Sequence, residues 1–332
     1  MISEIIWTSF VATLLGLLSL GIFIGLILLL RNYMQGGSYN KPTLIDGKIV
    51  IITGANAGIG KETAVDLAKR GGKIYIACRN IERGQNALIE IKERSGSDNI
   101  HFLQLDLASM KSIHKFSDEF HQLEDRLDIL INNAGVMACP KSFTEDGFEM
   151  HMGTNHLGHF LLTNLLLDLL KKPPHSRIVN VASLFHIVGK ISKTNFFGEK
   201  FYFRWYAYAT SKLANILFTR ELAKRLQNTG VTANSLHPGA IQSDLLRHVN
   251  IVIRVITAPF RWILFKDIPA GAQTQIRLAV DPSLENVTGK YFADCKEATT
   301  LFTARNDKTA KWLWEKSEEL TGLGINDVLV CE

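Results

Sequence analysis

The chain of 332 residues has few cysteines: Cys78, Cys139, Cys295 and Cys331 lie far apart and form no CxxC pair. That spacing argues against a disulfide framework and against a structural zinc site. There is no run of Lys or Arg, and the net charge of +5, from 37 Lys+Arg against 32 Asp+Glu, is small and dispersed. A nucleic-acid surface is therefore excluded. No repeat of about 20–50 residues is visible, which excludes solenoids and propellers. Hydrophobic residues make up 46% and charged residues 21%, so the chain can bury a large core and is not disordered. The length is enough for two domains, although an open α/β sheet with insertions can use it in one. The mean hydropathy of +0.08 is high for a soluble protein, and the excess is unevenly placed.

Charge is missing altogether from Ile5 to Leu30, a stretch of 26 residues. As a helix at about 1.5 Å per residue it would span roughly 39 Å, enough to cross a hydrocarbon core of about 30 Å with some tilt. A signal peptide would carry a basic leading segment and a shorter apolar stretch, whereas the only charged side chain before this run is Glu4. A buried core helix would show a polar face, and here only Thr8, Ser9, Thr13 and Ser19 are polar. The run predicts an uncleaved membrane anchor over residues 1–31. Arg31, Lys41 and Lys48 follow it with only Asp46 against them, so the positive-inside rule leaves the bulk of the chain in the cytosol. Gly36, Gly37, Ser38 and Pro42 mark residues 32–45 as a linker.

Beyond the linker, strand and helix patterns alternate. Strands are predicted at Lys48–Thr53, Lys73–Cys78, Ile100–Leu105, Asp128–Ile131, Arg177–Val181 and Val231–Leu236. Helices are predicted at Gly60–Arg70, Ile81–Arg94, Met110–Leu123, Glu145–Lys171 and Tyr206–Gln227. This order implies a Rossmann-type doubly wound parallel sheet with helices on both faces, whose ligand sits at the carboxyl ends of the strands.

The loops at those ends carry the unusual residues. Strand one runs into Gly54-Ala55-Asn56-Ala57-Gly58-Ile59-Gly60 and then a helix. Glycines permit close approach of a pyrophosphate, and the helix start offers free N–H groups. A tight connection alone would use the same residues. Strand two ends at Cys78-Arg79 with no carboxylate to take a ribose hydroxyl; Arg79 reads either as a solvated surface arginine or, given a dinucleotide, as a partner for a 2′-phosphate, which points to NADP (NADPH) rather than NAD. Asp106, beside Leu107, could meet the adenine amino group, and Asn133-Ala134-Gly135 keeps the fourth strand end small. Both could equally be ordinary turn chemistry.

Tyr208 and Lys212 stand at i and i+4 on one helix face. A phenol near pKa 10 is a poor acid–base group at neutral pH. An ammonium about 4 Å away, at an effective dielectric of about 20, favours the phenolate by about 4 kcal/mol, which would bring Tyr208 close to about 7.

Taken together, TGxxxGxG, NNAG, a Ser after the fifth strand and YxxSK resemble the Tyr-dependent short-chain dehydrogenase/reductase superfamily from Lys48 to about Asp294. The resemblance implies a tetrad of Asn155, Ser183, Tyr208 and Lys212. Ser183 would hold the substrate carbonyl and Tyr208 would give it a proton. Lys212 would bind the nicotinamide ribose and Asn155 would hold a water in the proton relay. His237-Pro238-Gly239 would brace the nicotinamide, with Ile241 and Ser243 near its carboxamide. Ile74–Arg79, Asn132–Pro140, Asn155–Leu162 and Ser211–Arg220 narrow the resemblance to the microsomal retinol dehydrogenases, nearest types 11 and 12, which are NADPH-dependent retinal reductases. That branch shares an anchored N-terminus and a long Ser–Tyr separation, here 25 residues. Ala182 and Ser243 stand where Ser and Thr are common in the family.

Two insertions shape the substrate side. Residues 184–205 are rich in aromatics: Phe185, Phe196, Phe197, Phe201, Tyr202, Phe203 and Trp205, with Tyr206 following, could simply pack a loop but beside Tyr208 are expected to wall an apolar pocket. Within residues 240–268, the stretch Leu245–Lys266 spaces Arg247, Arg254 and Arg261 seven apart among apolar residues. It reads either as a substrate lid or as a lid that also lies in the bilayer interface, arginines toward headgroups. The sequence thus predicts a single catalytic domain over 46–332, without a metal, on a single-pass endoplasmic reticulum anchor facing the cytosol. The expected activity is NADP(H)-dependent interconversion of retinal and retinol. The same chemistry on medium-chain aldehydes or steroid ketones is the alternative, and a catalytically silent membrane scaffold is disfavoured by the complete tetrad. Oligomeric state is not legible.

Overall fold

Every residue of Ile49–Thr53 is β-branched, a composition that suits a strand buried on both faces. In the computed structural model, which describes residues 2–241, 257 and 260–323, this run is β1 (Ile49–Thr53) and all five residues are buried. Successive side chains leave opposite faces. Val50 and Ile52 join one core with Ile74, Ile76, Ile129 and Ile131. Ile49 and Ile51 join the other with Phe116, Leu130 and Phe160.

In chain order the structure places α1 (Ile2–Gln35), β1, α2 (Gly58–Lys69), β2 (Lys73–Cys78), α3 (Ile81–Ser95) and β3 (Ile100–Gln104). Then come α4 (Met110–Leu123), β4 (Ile129–Asn132), α5 (Gly158–Leu165), α6 (Leu167–Leu170) and β5 (Arg177–Val181). The order closes with α7 (Arg204–Arg225), β6 (Thr232–Leu236), α8 (Ile268–Val280), β7 (Tyr291–Ala293), β8 (Lys296–Glu297) and α9 (Asp307–Thr321). The sheet order is β3-β2-β1-β4-β5-β6-β7-β8, parallel from β3 to β7 with β8 antiparallel at the edge. Strand β1 pairs with both β2 and β4, so the winding reverses there and opens a crevice at the carboxyl ends of the strands. This is the predicted doubly wound fold.

Three local departures matter. The helix predicted over Glu145–Lys171 is shorter and broken. The Glu149 carboxylate accepts from the Met152 N–H at 2.9 Å, capping the helix instead of extending it. A π-helical turn occupies Met152–Leu157 before α5, and Leu166 interrupts the path with ψ near 5°. The short Tyr291–Ala293 strand and α8 and α9 were not anticipated. Helix α1 continues through Asn32–Gln35, and the remainder of the expected linker is tied to the body. Tyr39 N–H donates to Gln273 Oε1 at 2.9 Å, and Arg70 donates to the carbonyls of Lys41 and Thr43 at 2.7 and 3.0 Å.

Helix α1 is apolar on every side up to Leu30 and exposed over most of its length, with Ile6, Leu17 and Leu29 each more than half accessible. It is the one helix among the described residues long and apolar enough to cross a membrane. A surface of this kind has no favourable place in water. The chain is accordingly membrane-associated through α1.

Candidate active site

The crevice at the switch point is a cleft of about 610 Å³. Its floor is the β1–α2 turn. Gly54 has φ +67°, a left-handed conformation, and a Cβ there would lie 2.8 Å from the Ala134 Cα. Glycine alone satisfies both constraints. Helix α2 starts at Gly58 with Ala57 as its cap, no side-chain capping bond and no acidic residue in its first turn. Asn56, Ala57, Gly58, Ile59 and Gly60 line the cleft, so uncapped N–H groups and the positive helix end point into it. That arrangement fits a pyrophosphate.

The turn is held from below. The Thr53 hydroxyl accepts from the N–H groups of Asn133 and Ala134 at 2.9 and 3.0 Å. Burial pulls His159 down to about 4, so its ring is neutral. Nδ1 lies 3.0 Å from the Asn155 carbonyl, which can only accept, so the proton is on Nδ1 and Nε2 accepts from Thr53 at 2.9 Å. Neither Thr53 nor His159 was singled out from the sequence, because nothing local shows that residues 106 apart meet.

At the far end of the cleft lie Arg79 and Arg83. Arg79 is well exposed, its Nε 3.8 Å from Asp106 Oδ2. Asp106 Oδ1 accepts from the Ala108 N–H at 3.0 Å, so this carboxylate also braces its own turn. Arg83 was missed; its place one helical turn after Arg79, in the first turn of α3, was the available signal. Leu107, Asn133, Ala134, Gly135, Pro238, Gly239 and Ile241 line the cleft as anticipated. Ala55 does not: it is fully buried in the core under the turn. His237 lies behind the wall, accepting from the Gly239 N–H at 3.1 Å. Ser243, Arg247 and Arg254 lie outside the described residues.

Ser183, Tyr208 and Lys212 share one wall of the cleft. Ser183 ends the loop after β5 and its hydroxyl accepts from the Phe185 N–H at 3.2 Å. Lys212 Nζ donates to the Val181 carbonyl at 2.9 Å and lies 5.9 Å from the centre of the Tyr208 ring. Burial lowers the Lys212 ammonium to about 8. Burial also raises the Tyr208 phenol above its ordinary value, opposed by a hydrogen bond with Ser183. The expected descent of Tyr208 toward neutrality under Lys212 is not found: burial raises the phenol, Ser183 opposes it, and the Lys212 ammonium is turned to the β5 backbone.

Asn155 is fully buried in the π-helical turn and does not line the cleft. Its Oδ1 accepts from the Val136 N–H at 2.8 Å, while Nδ2 donates to the Val136 carbonyl at 3.0 Å and to Ser211 Oγ at 2.9 Å. Its side chain thus braces the loop after β4 against α7. The glycines on either side allow close approach: a Cβ on Gly158 would lie 2.5 Å from the Leu107 carbonyl oxygen.

The aromatic wall is smaller than anticipated. Phe185 and Trp205 line the cleft, stacked at 5.6 Å, with Phe185 edge-on to Tyr208 at 6.0 Å. Phe196 and Phe197 instead pack on each other at 4.9 Å, Phe196 meets Trp312 and Phe197 meets Phe148. With Phe201, Tyr202, Phe203 and Tyr206 they surround a crevice of about 20 Å³, room for one water. Tyr202 OH reaches the Cys139 carbonyl at 3.2 Å and Glu149 Oε1 at 3.3 Å. Beside it, His151 Nδ1 meets Glu149 Oε1 at 2.6 Å and Nε2 lies 3.4 Å from the Cys139 sulfur. Burial opposes charge on His151, yet the hydrogen bonds to Cys139 and Glu149 prevail and lift it to about 9. This cluster, 6.3 Å ring to ring from Tyr208, was not found from the sequence. No group of metal-ligating side chains occurs among the described residues.

A switch-point cleft with a glycine turn, a Tyr–Lys pair and a Ser on its wall defines a nucleotide-dependent oxidoreductase. The short chain dehydrogenase family matches residues 48–251, and the chain belongs to it. It is an oxidoreductase using a nicotinamide cofactor. The chain is 49% identical to mouse (Mus musculus) retinol dehydrogenase 12 over 296 residues, covering 89% of this chain and 92% of that protein. It is 48% identical to human (Homo sapiens) retinol dehydrogenase 11 over 301 residues, covering 90% and 93%. Among solved structures, an uncharacterised Mycobacterium paratuberculosis protein aligns with TM-score 0.70 at 32% identity, over 86% of this chain and 98% of that one. The Pseudomonas aeruginosa RhlG/NADP complex aligns with TM-score 0.62 at 25% identity, over 76% and 97%.

Proposed function

We propose that this protein is an NADP(H)-dependent oxidoreductase that interconverts retinal and retinol and works chiefly as a retinal reductase. The carrying observation is the single cleft with cations at one end and an apolar wall around Ser183, Tyr208 and Lys212 at the other. The identity to proteins named retinol dehydrogenases supports the substrate class.

Arg79 and Arg83 would hold the 2′-phosphate, the start of α2 the pyrophosphate, and Lys212 the nicotinamide ribose. Asp106, Leu107, Asn133, Ala134, Gly135, Pro238, Gly239, Ile241 and Ser243 would complete the cofactor bed. When bound, the reduced nicotinamide supplies hydride to the substrate carbon. Ser183 orients the carbonyl oxygen by a hydrogen bond, and Tyr208 donates its proton to that oxygen. A phenol kept protonated by burial is in the right state for this step. Asn155 holds the backbone beside Gly135 and Tyr208 in register. Phe185 and Trp205 exclude water and offer an apolar surface to a polyene. The cytosolic pool of NADPH is kept largely reduced, which favours reduction.

In this reading residues 46–332 form one catalytic unit on a single-pass anchor at 1–31 in the endoplasmic reticulum membrane, and 32–45 joins the two as the end of α1 and a segment bonded to the body. Arg31, Lys41 and Lys48 set the body on the cytosolic side. The Asn286-Val287-Thr288 sequon is exposed at Asn286, so a glycan-dependent mobility shift would reverse the orientation. The test of function is consumption of NADPH against NADH by the purified full chain, with all-trans-retinal beside medium-chain aldehydes and ketosteroids. Turnover of retinal with NADPH is the expected result. Turnover of the other carbonyls without retinal would replace the substrate assignment and leave the mechanism standing.

A further inference from the structure

The anchor does not end in free chain. Its charge-free run stops at Leu30, so in a bilayer Arg31 marks the level of the interface. The Arg31 guanidinium lies 4.4 Å over the Trp262 ring, donates to the Trp262 carbonyl and reaches both Asp267 carboxylate oxygens at 3.1 and 2.9 Å. One turn later Gln35 donates to the Phe265 carbonyl at 3.3 Å and accepts from the Asp267 N–H at 2.9 Å. Four residues of helix advance about 6 Å. Trp262, Phe265 and Asp267 are therefore held beside the last turns of α1, where the apolar run ends.

This segment has two different sides. Phe260, Trp262 and Leu264 are exposed, the first two by more than half. Arg261 and Phe265 turn the other way and line the cleft. The arginine expected to face headgroups thus faces the site, and aromatic and aliphatic side chains face outward. Behind the segment, Lys266 N–H donates to the Ala240 carbonyl at 2.8 Å, fixing it to the loop that carries Ile241. The exposed apolar side chains and those that line the cleft thus belong to one short segment.

We propose that Phe260, Trp262 and Leu264 form a second membrane contact, seated in the interface of the bilayer that holds α1, and that the adjoining mouth of the cleft receives its lipophilic substrate from the lipid. The occupant of this apolar face is the bilayer because Arg31 and Gln35 keep the face at the end of the spanning run; Trp at that level is the residue type interfaces select. Entry from lipid rests on the reading of the enzyme as a reductase of a lipophilic carbonyl. The contact itself does not.

The test uses the full chain in phosphatidylcholine vesicles, with Cys331→Ser to leave only the buried native cysteines. An environment-sensitive fluorophore on Phe260→Cys is compared with one on Glu82→Cys of α3. Spin-labelled lipid should quench the first and leave the second unquenched. Equal quenching at the two sites, or none at Phe260→Cys, overturns the contact. In a second measurement Phe260→Ser/Leu264→Ser is assayed with retinal delivered in vesicles and with a water-soluble short aldehyde. The KM for the vesicle-borne substrate should rise about tenfold while that for the soluble one stays within about twofold. A parallel rise in both, or no rise in either, overturns lipid entry. Quenching in a protein that turns over no retinoid would overturn the substrate assignment and leave the membrane contact in place.

Discussion

Helices α1 and α7 are both long and neither has one polar face and one apolar face, yet they belong to opposite surroundings. Within the charge-free run of α1 the hydroxyls bond to their own helix: Thr8 to the Glu4 carbonyl at 2.9 Å, Thr13 to that of Ser9 at 2.8 Å, Ser19 to that of Leu15 at 2.7 Å. Nothing in the apolar run needs a partner outside it, which is what a lipid environment demands. In α7 the chain is buried without a break from Tyr208 to Thr219, and its polar groups reach outward. Lys212 and Asn215 donate to the Val181 carbonyl at 2.9 and 3.3 Å, and Thr219 accepts from Asn180 at 2.9 Å. A helix that is alike on all sides is solvated by lipid or by protein, and the destination of its hydrogen bonds tells which.

The strongest way to break this comparison is Tyr208→Phe. It keeps the burial of the ring and removes the proton, so kcat/KM for carbonyl reduction should fall by about 10²–10⁴ with an unchanged circular dichroism spectrum. Activity within a few-fold of the parent would remove Tyr208 from the mechanism. On the other helix, Leu17→Arg places a charge in the middle of the spanning run at a cost of about 2.5–3.5 kcal/mol. Membrane extraction should show it leaving the alkali-resistant fraction while the catalytic body, whose cores contain no residue of the spanning run, retains cofactor binding.

Solution pH should also separate the two regions. His151 is lifted from an unfolded value of 6.5 to about 9, against burial, by Cys139 and Glu149. Protons are thus bound more tightly in the folded state, so its contribution is complete below about 6.5 and is lost as pH rises through about 9. At about 1.4 kcal/mol per pKa unit this is a contribution of a few kcal/mol. Denaturant melts of the full chain in detergent should show the decline between those values, and His151→Gln should flatten it. Lys212, lowered to about 8, works in the opposite sense above that value. The spanning run of α1 holds no titratable group and should contribute no pH dependence. A profile that His151→Gln leaves unaltered would place the titration elsewhere.

The smallest effect compares two threonines. Thr219→Val removes the acceptor of a buried Asn180 amide and should cost about 1–3 kcal/mol in global stability. Thr13→Val removes a hydroxyl bonded to its own helix and should cost about zero in membrane retention. Equal losses would mean that α1 has a protein partner after all.

The cofactor turn was legible because its demands are local. Gly54 must adopt a positive φ, and Gly58 and Gly60 open a helix at a strand end, all within seven residues. Tyr208 and Lys212 were legible for the same reason, since i and i+4 share a face on any helix. The π-helical turn at Met152–Leu157, the inward braces of Asn155 and the Cys139–Glu149–His151–Tyr202 cluster were not. They depend on which distant backbone groups arrive opposite them. Six of the eight aromatics around the insertion lie away from the cleft: Trp312 and Phe148 supply other partners to Phe196 and Phe197, while Phe201 and Phe203 are exposed, and no count of Phe and Tyr reveals that.

By itself, the sequence determined the alternation that winds the sheet, the charge-free run that suits a bilayer, and the order of the residues that meet at the strand ends. These follow from side-chain periodicity and backbone freedom, which act over one or two turns. Tertiary structure alone decided how polar each site is. Burial raises the Tyr208 phenol where a neighbouring ammonium was expected to lower it, and the Lys212 ammonium donates to the Val181 carbonyl. The same holds at the anchor, where Arg31 stacks on Trp262, 231 residues away, and so fixes an apolar face beside the cleft. Desolvation and long-range contact are properties of what surrounds a residue, and that is assembled only when the chain has folded.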